Sequence, residues 1–261
     1  MALYGVLGDI HGNREALDAA LARLDACGAG RLLCVGDLVG YNADGDECVA
    51  ILRRRGALSI AGNHDLIGAG LLGFERCSNK AMHSLKRTRR ALAAETAREL
   101  RALPANRVVE ERILLIHGGV RDVQQYMTQA RHIAQNAAFV REDFPQARIC
   151  FFGHTHEQRI FEVDAESIRE IPADERVRLR PDRLYFVNPG SVDASRKRTQ
   201  KRAECAVFDS ASLELAFHRV AYDDAATEAK AAAQGYRLER WRDHLYAWQR
   251  RFVGPRQVDA S

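Results

Sequence analysis

Three short apolar runs in the first 62 residues are separated by two stretches with helical periodicity. The runs are Leu3–Gly8, Arg31–Gly36 and Ala57–Gly62. The stretch Asn13–Cys27 places leucines on one helical face, and Glu47–Arg55 also has the composition of a helix. An order of strand, helix, strand, helix, strand needs crossover connections, so it predicts a largely parallel sheet covered by helices.

The rest of the chain changes from this alternation to a mostly β pattern. Helices are predicted at Ser78–Leu103 and Gln129–Arg141. A hairpin is predicted at 107–116 and a further strand at Arg148–Gly153, and six β-type runs follow between 158 and 220. Two facing sheets with helices outside fit this order of elements.

The length and composition favour a single domain. The chain has 261 residues, of which 46% are hydrophobic, and this is enough for one sizeable core. We expect one domain over residues 1–253, with the helical segment 222–253 packed on it and a frayed tail at 254–261. The spacing of Trp241 and Trp248 in that segment favours core or dimer packing over base stacking.

Charge, hydropathy and cysteine usage exclude several classes of protein. The net charge of +4 is too small to indicate nucleic-acid binding. No apolar run approaches the roughly 20 residues of a membrane span, and the first residues lack the pattern of a signal peptide. The six cysteines are scattered singly with no CxxC pair, which is typical of reduced thiols in a cytoplasmic protein.

Five of the apolar runs end in side chains that bind metal ions, most with a glycine alongside. Sites in α/β sheets form at the carboxyl ends of the strands, so these side chains are expected to meet. The candidates are Asp9, His11, Asp37, Asn63, His117, His154 and His156.

Seven candidates exceed the three or four ligands that one catalytic metal needs. They suit two ions that share a bridging carboxylate. Imidazole and carboxylate groups without cysteine favour Mn, Fe, Zn or Co over Ca or a structural zinc. Each short motif alone could be a turn or a helix cap, but their joint occurrence after five strands indicates a metal site.

The motifs GDIHGN, GDLVGY, GNHD, IHGG and GHTH together resemble the calcineurin-like metallophosphoesterases. The resemblance runs from the first motif to the last, and the strand-rich segment through Val220 also fits it. It implies an α/β fold, a four-layer α/β/β/α sandwich with two facing mixed β-sheets. It also implies a dinuclear metal centre.

The resemblance implies a role for each candidate residue. One ion would be held by Asp9, His11 and His156, and the other by Asn63, His117 and His154, with Asp37 as the bridge. A metal-bridging hydroxide would attack phosphorus in line, and His64 would protonate the leaving group as general acid. Asp65 either orients His64 or caps a helix. We expect two divalent transition-metal ions, Mn first, with Fe, Zn, Co or Ni as alternatives.

The sequence says less about the substrate than about the metal centre. GDLVGYNADGDECV, HGGVRD and NPGSVD resemble the small bacterial phosphodiesterase-type members of the superfamily. The related serine/threonine phosphoprotein phosphatases carry an aspartate and an arginine where this chain has Gly40 and Tyr41. We therefore expect hydrolysis of phosphodiesters or phosphomonoesters, nucleotide-like or otherwise small. A phosphoprotein phosphatase or a nuclease is the alternative, and a non-catalytic scaffold a remote one.

Four residues are candidates for substrate binding. Arg14 and Arg121 flank metal motifs, Arg196 belongs to the basic run 195–202, and Asn13 is either a substrate contact or a helix N-cap. A second basic run, Lys86–Arg90, has the pattern of a solvated face. The expected partner is a phosphoester, with a nucleotide as one possibility. We expect no membrane partner and do not favour nucleic acid as a partner. The sequence leaves the oligomeric state open.

Overall fold

The computed structural model describes residues 2–164, 167–173, 176–194 and 199–239, together with residues 241, 243 and 246. Arg196, Trp248 and the predicted tail 254–261 therefore lie outside the described residues. Within the described part of the chain, no helix is both long and apolar enough to cross a lipid bilayer.

The described residues form twelve strands and seven helices. The strands are β1 (Leu3–Leu7), β2 (Arg31–Cys34), β3 (Leu58–Ser59), β4 (Arg107–Val109), β5 (Ile113–Leu115), β6 (Ile149–Phe151), β7 (Gln158–Val163), β8 (Ile168–Ile171), β9 (Arg176–Arg178), β10 (Leu184–Pro189), β11 (Ala203–Asp209) and β12 (Glu214–Val220). The helices are α1 (Arg14–Ala26), α2 (Gly45–Arg54), α3 (Asn63–Gly68), α4 (Asn79–Ala91), α5 (Ala94–Ala102), α6 (Ala130–Asp143) and α7 (Asp224–Ala233).

The strands of the described segments build two six-stranded sheets. The first has the order β3-β2-β1-β11-β12-β9 and the second β4-β5-β6-β10-β7-β8. In each sheet three neighbouring strands run parallel and the other pairings are antiparallel. The predicted α/β fold with two mixed sheets is therefore confirmed.

Successive side chains of β1 pack in two different cores, and this shows how the layers of the fold are arranged. Tyr4 and Val6 belong to a core between the two sheets, whereas Leu7 packs with Leu24 of α1 on the outer side. On the outer face of the second sheet, Phe152 packs with α6 in a third core. Because successive side chains of a strand point to opposite faces, each sheet has two apolar faces and the layers are α/β/β/α.

The inter-sheet core should dominate the stability of this fold. Phe151 is fully buried there, with its ring 5.6 Å from the ring of Phe208 in a T-shaped arrangement. We expect Phe151→Ala to lower the free energy of unfolding by about 3–5 kcal/mol, because it leaves a cavity between the sheets. Urea unfolding of the metal-free protein measures this change. The control is Val108→Ala, at a side chain that is 46% exposed, for which about 0.5 kcal/mol or less is expected. A loss below about 1 kcal/mol for Phe151→Ala would contradict this account of the core.

The stretch from Ser78 to Leu103, where one or two helices are predicted, forms two helices, α4 and α5. Two helical segments differ from the sequence prediction. The short helix α3 was not predicted as an element. The predicted helix at 222–253 is interrupted, because α7 ends at Ala233 and Gly235 takes a left-handed φ of +73°. Trp241 is 59% exposed, so its side chain is not part of the core.

Candidate metal centre

The carboxyl ends of β1, β2 and β3 in one sheet meet those of β5 and β6 in the other. The loops after β1 and β2 run side by side, since the backbone N–H of Asp9 donates to Gly36 O at 3.0 Å and that of His11 to Asp37 O at 2.9 Å. The backbone N–H of His154 then donates to the Asp9 carboxylate from the second sheet. All seven predicted ligands are buried within this junction; they are Asp9, His11, Asp37, Asn63, His117, His154 and His156.

One group of ligand atoms comprises Asp9, His11 and His156. Their ligand atoms all lie within 4.8 Å of one another. His156 Nε2 is 3.5 Å from Asp9 Oδ1 and 3.1 Å from His11 Nε2. His11 Nδ1 lies 3.3 Å from Val39 O. A carbonyl oxygen only accepts, so Nδ1 carries the proton and Nε2 of His11 offers a lone pair to the group.

A second group comprises Asp37, His117 and His154, again with ligand atoms within 4.8 Å of one another. The amide oxygen of Asn63 is 3.1 Å from His117 Nε2 and joins this group. His117 Nδ1 lies 2.7 Å from Val35 O, which fixes the proton on Nδ1 by the same reasoning. Nε2 is therefore the ring nitrogen of His117 that is available to a metal ion beside Asp37 and Asn63. Burial opposes the charged imidazolium, but the Asp37 carboxylate raises the pKa of His117 to about 9.

Asp37 lies between the two groups. Its Oδ2 is 3.7 Å from His11 Nε2 and 3.3 Å from His117 Nε2, while its Oδ1 accepts the backbone N–H of His64 at 2.8 Å. Burial opposes the ionisation of Asp37, but the imidazoles of His117, His64 and His11 outweigh it and hold its pKa well below the usual range. Asp37 is thus an ionised carboxylate that both groups share.

The chemistry of these donors fits divalent transition-metal ions. Two anionic carboxylates, one amide oxygen and four imidazoles are buried together, and His11 Nε2 faces His156 Nε2 at contact distance. A cation between such groups satisfies lone pairs that otherwise face one another. Among the described residues, no cysteine belongs to these groups of candidate ligand atoms.

The backbone around the ligands is strained. Five of the seven, namely Asp9, His11, Asp37, His154 and His156, have φ between 51° and 67°. This left-handed region is uncommon for residues other than glycine, and such strain is concentrated at functional sites. Position 62 requires a glycine because the backbone there lies close to Asp37, and a Cβ would be only 2.1 Å from Asp37 Oδ1.

His64 and Asp65 lie in the first turn of α3, immediately after the candidate ligand Asn63. His64 is buried beside Asp37 and His11, and the three form a further group of candidate ligand atoms. Asp65 Oδ2 accepts the backbone N–H of Gly62 at 2.9 Å, and its Oδ1 accepts those of Leu38 and Val39 at 2.8 and 3.1 Å. Asp65 therefore caps α3 and fixes the loop after Asp37, which is the helix-cap alternative predicted above.

A cleft of about 290 Å³ opens onto Asp37, Asn63, His64 and His154. Sequence reasoning missed four further residues of its wall, which are Tyr41, Arg76, Gln124 and Tyr126. The Tyr126 side chain is half exposed and its ring centroid lies 4.1 Å from that of His154.

Arg76 pairs with Asp122 and donates to Gln124 O, which holds the cleft wall in place. Arg76, Gln124 and Tyr126 follow no motif or periodic pattern. Tyr41 directly follows the GDLVG motif, so its place beside the centre could have been foreseen.

The predicted substrate residues that the structure describes lie elsewhere. Arg14 pairs with Asp18 on α1, and Arg121 pairs with Asp143 and Glu142 of α6. Neither lines the cleft at the ligands. Asn13 caps α1, because its Oδ1 accepts the N–H of Ala16 at 3.0 Å. These contacts give each residue a structural role, and substrate binding by them stays a prediction.

Comparison with known proteins identifies relatives over most of the chain. The family model of the calcineurin-like phosphoesterase superfamily domain matches residues 2–212. An uncharacterized protein of Methanocaldococcus jannaschii is 28% identical over 229 residues, which cover 85% of this chain and 88% of that protein.

Two solved structures share the architecture. A metallophosphoesterase from Sphaerobacter thermophilus superposes with a TM-score of 0.73 at 29% identity, covering 89% of this chain and 94% of that one. A hypothetical protein from Pyrococcus horikoshii gives a TM-score of 0.69 at 18% identity, covering 91% of this chain and 95% of that one. The second likeness concerns the fold alone.

Proposed function

The chain belongs to the calcineurin-like phosphoesterase superfamily, and on that premise we propose that it hydrolyses small phosphoesters with two divalent transition-metal ions and His64 as general acid. The superfamily consists of metal-dependent phosphoester hydrolases. The observation that carries the proposal for two ions is the position of Asp37, whose Oδ2 faces an imidazole of each ligand group.

In this proposal each ion has its own set of side chains. Asp9, His11 and His156 hold one ion, and Asn63, His117 and His154 hold the other, with Asp37 between them. When bound, such ions lower the pKa of a coordinated water and offset charge on phosphoryl oxygens. We take Mn as the first candidate, with Fe, Zn, Co or Ni as alternatives, since nitrogen and oxygen donors without thiolate are compatible with all of them.

The protein's own contribution to bond cleavage is His64. Its imidazole lines the cleft beside Asp37, within reach of a phosphoester seated on the ligand groups. Donation of a proton to the departing oxygen avoids release of a basic alkoxide or phenoxide, which is the role of a general acid.

The loop after Asp37 supports small phosphoesters over phosphoproteins. Gly40 has a φ of +142°, and a Cβ there would lie 2.3 Å from His64 Nδ1. The aspartate that the phosphoprotein phosphatases carry at this position therefore has no room on this backbone, and Tyr41 stands where they carry the arginine. The size of the cleft, about 290 Å³, suits a nucleotide-like or smaller ester.

The thiols support a reducing compartment, and we place the enzyme in the cytoplasm. The six cysteines are present as thiols, and five of them are buried. Structural disulfides are rare in the cytoplasm, where thiols are kept reduced.

The proposal is tested by comparing a bis-aryl phosphate diester with the corresponding monoester. The Mn-loaded protein is expected to hydrolyse the diester faster, and removal of metal by a chelator should abolish turnover of both. Asp25→Ala serves as a control, because it removes a carboxylate that pairs with Arg55 at the surface, and neither residue is a candidate ligand or substrate contact.

The two rates separate the alternatives. A preference for the monoester would contradict the expected preference for the diester and would favour a phosphatase. Turnover of neither ester by a protein that binds two metal ions would contradict the proposed hydrolase.

A further inference from the structure

The C-terminal segment outside the family match reaches back to the metal centre. The match ends at residue 212, and α7 and the turn after it follow that point. Thr227 of α7 donates to Asn13 Oδ1 at 3.0 Å, and Lys230 pairs with Glu15 at 2.7 Å and with Asp44. These bonds fix α7 against the start of α1, directly after the first metal motif.

Arg237, in the segment after α7, extends this contact to the loop Gly40–Asn42. Its guanidinium donates to Tyr41 O at 2.9 Å, to Asn42 Oδ1 at 3.0 Å and to the Glu228 carboxylate at 2.8 Å. The planar fork of the guanidinium suits such simultaneous bonds, which a lysine ammonium reproduces poorly. One side chain thus connects α7 to two successive residues of the loop.

The Gly40–Asn42 loop in turn packs on two histidines of the centre. The Tyr41 ring lies 4.7 Å from the ring of His11 and 4.8 Å from that of His64. Gly40 lies against the Nδ1 edge of His64, where no Cβ would fit.

Asn42 attaches the loop to the first metal motif. Its backbone N–H donates to His11 O at 2.9 Å, and its side chain donates to Asp193 at 2.8 Å. The loop therefore limits how the imidazole of His64 can turn.

We propose that Arg237 is a positioning residue, which fixes the Gly40–Asn42 loop so that His64 is held in the orientation of a general acid. The inference rests on the proposed function, because it assigns His64 that role. Arg237 itself lies outside the cleft that opens onto the ligands.

General-acid catalysis gives a specific signature for this role. A leaving group that is stable as an anion, such as p-nitrophenolate, gains little from protonation, whereas unsubstituted phenolate gains more. A misplaced acid should therefore slow diphenyl phosphate more than bis(p-nitrophenyl) phosphate. A general loss of folding or of metal would slow both esters equally.

The experiment compares wild type with Arg237→Gln, Arg237→Lys and the control Arg148→Gln. Arg148 donates to Pro145 O and Ala147 O on the far side of the second sheet, so its replacement removes similar bonds away from the centre. Two quantities are measured, namely kcat for both diesters in the Mn-loaded proteins and amide hydrogen exchange of Asn42 in the metal-free proteins.

Arg237→Gln is expected to lower kcat for diphenyl phosphate by about 10-fold and to change that for the p-nitrophenyl ester by less than about 3-fold. The Asn42 amide should exchange at least about 10-fold faster, since its bond to His11 O loses support. Arg237→Lys should lie between wild type and Arg237→Gln, and Arg148→Gln should match wild type.

Equal losses for the two esters, or unchanged exchange at Asn42, would overturn the inference. If Mn-loaded wild type hydrolyses neither diester, the proposed function fails. Exchange at Asn42 then still decides whether Arg237 fixes the loop, because it is measured without metal or substrate.

Discussion

Replacement of Asp37 by asparagine is expected to lower phosphoesterase activity by about 1,000-fold or more. The amide side chain would keep an oxygen for the backbone N–H of His64 but would lose the charge that faces both His11 and His117. A neutral amide is a poor bridge between two cations, so the variant loses several kcal/mol of charge stabilisation at the reacting centre. Each loss of about 1.36 kcal/mol lowers the rate tenfold.

Metal content gives the direct measurement for this variant. We expect wild type to bind two equivalents of Mn and Asp37→Asn to bind one equivalent or less at the same free concentration. The fold should persist, because asparagine is nearly isosteric and the bond from the backbone N–H of His64 is retained. Circular dichroism of the metal-free proteins checks this. Full metal occupancy together with wild-type turnover would contradict the shared role of Asp37.

The fold and the clustering of the candidate ligands could largely be predicted from the sequence because their signals are local. Each strand that leads into the site is an apolar run of a few residues, and the ligand or ligands follow it within a few positions. Parallel strands bring their carboxyl ends to one edge, so five local patterns predict one cluster. The structure brings all seven predicted ligands into that cluster.

The elements that sequence reasoning missed depend on tertiary context. Helix α3 has only six residues and begins at the ligand Asn63, so it is too short for a periodic pattern. The break after α7 depends on the left-handed turn at Gly235. That glycine was visible, but the apolar spacing of the following residues favoured a continuous helix.

The residues of the cleft wall were missed for the same reason, because tertiary contacts place them at the site. Tyr126 and Arg76 reach the site through loops, and no local pattern marks a residue that long-range contacts place beside a ligand. The surface pair of Arg14 with Asp18 could have been predicted, because the two residues have i,i+4 spacing on one helix. The partner of Arg121 lies 22 residues away, on α6, and required the structure.

Replacement of His64 by alanine is expected to separate acid catalysis from metal binding. Because His64 is not assigned to either ion, His64→Ala should bind the same amount of Mn as wild type. Its kcat for diphenyl phosphate should fall by about 100- to 10,000-fold, the usual range for loss of a general acid. The loss should be much smaller for bis(p-nitrophenyl) phosphate, whose leaving group needs little protonation.

The pattern across the two diesters decides the role of His64. His64 also belongs to a group of candidate ligand atoms with His11 and Asp37, so a ligand role is a concrete alternative. In that case His64→Ala would lose metal and slow both esters by the same factor. Retained metal with a loss that grows with leaving-group basicity is what a proton donor produces. The two histidine roles therefore differ in measurable metal content as well as in rate.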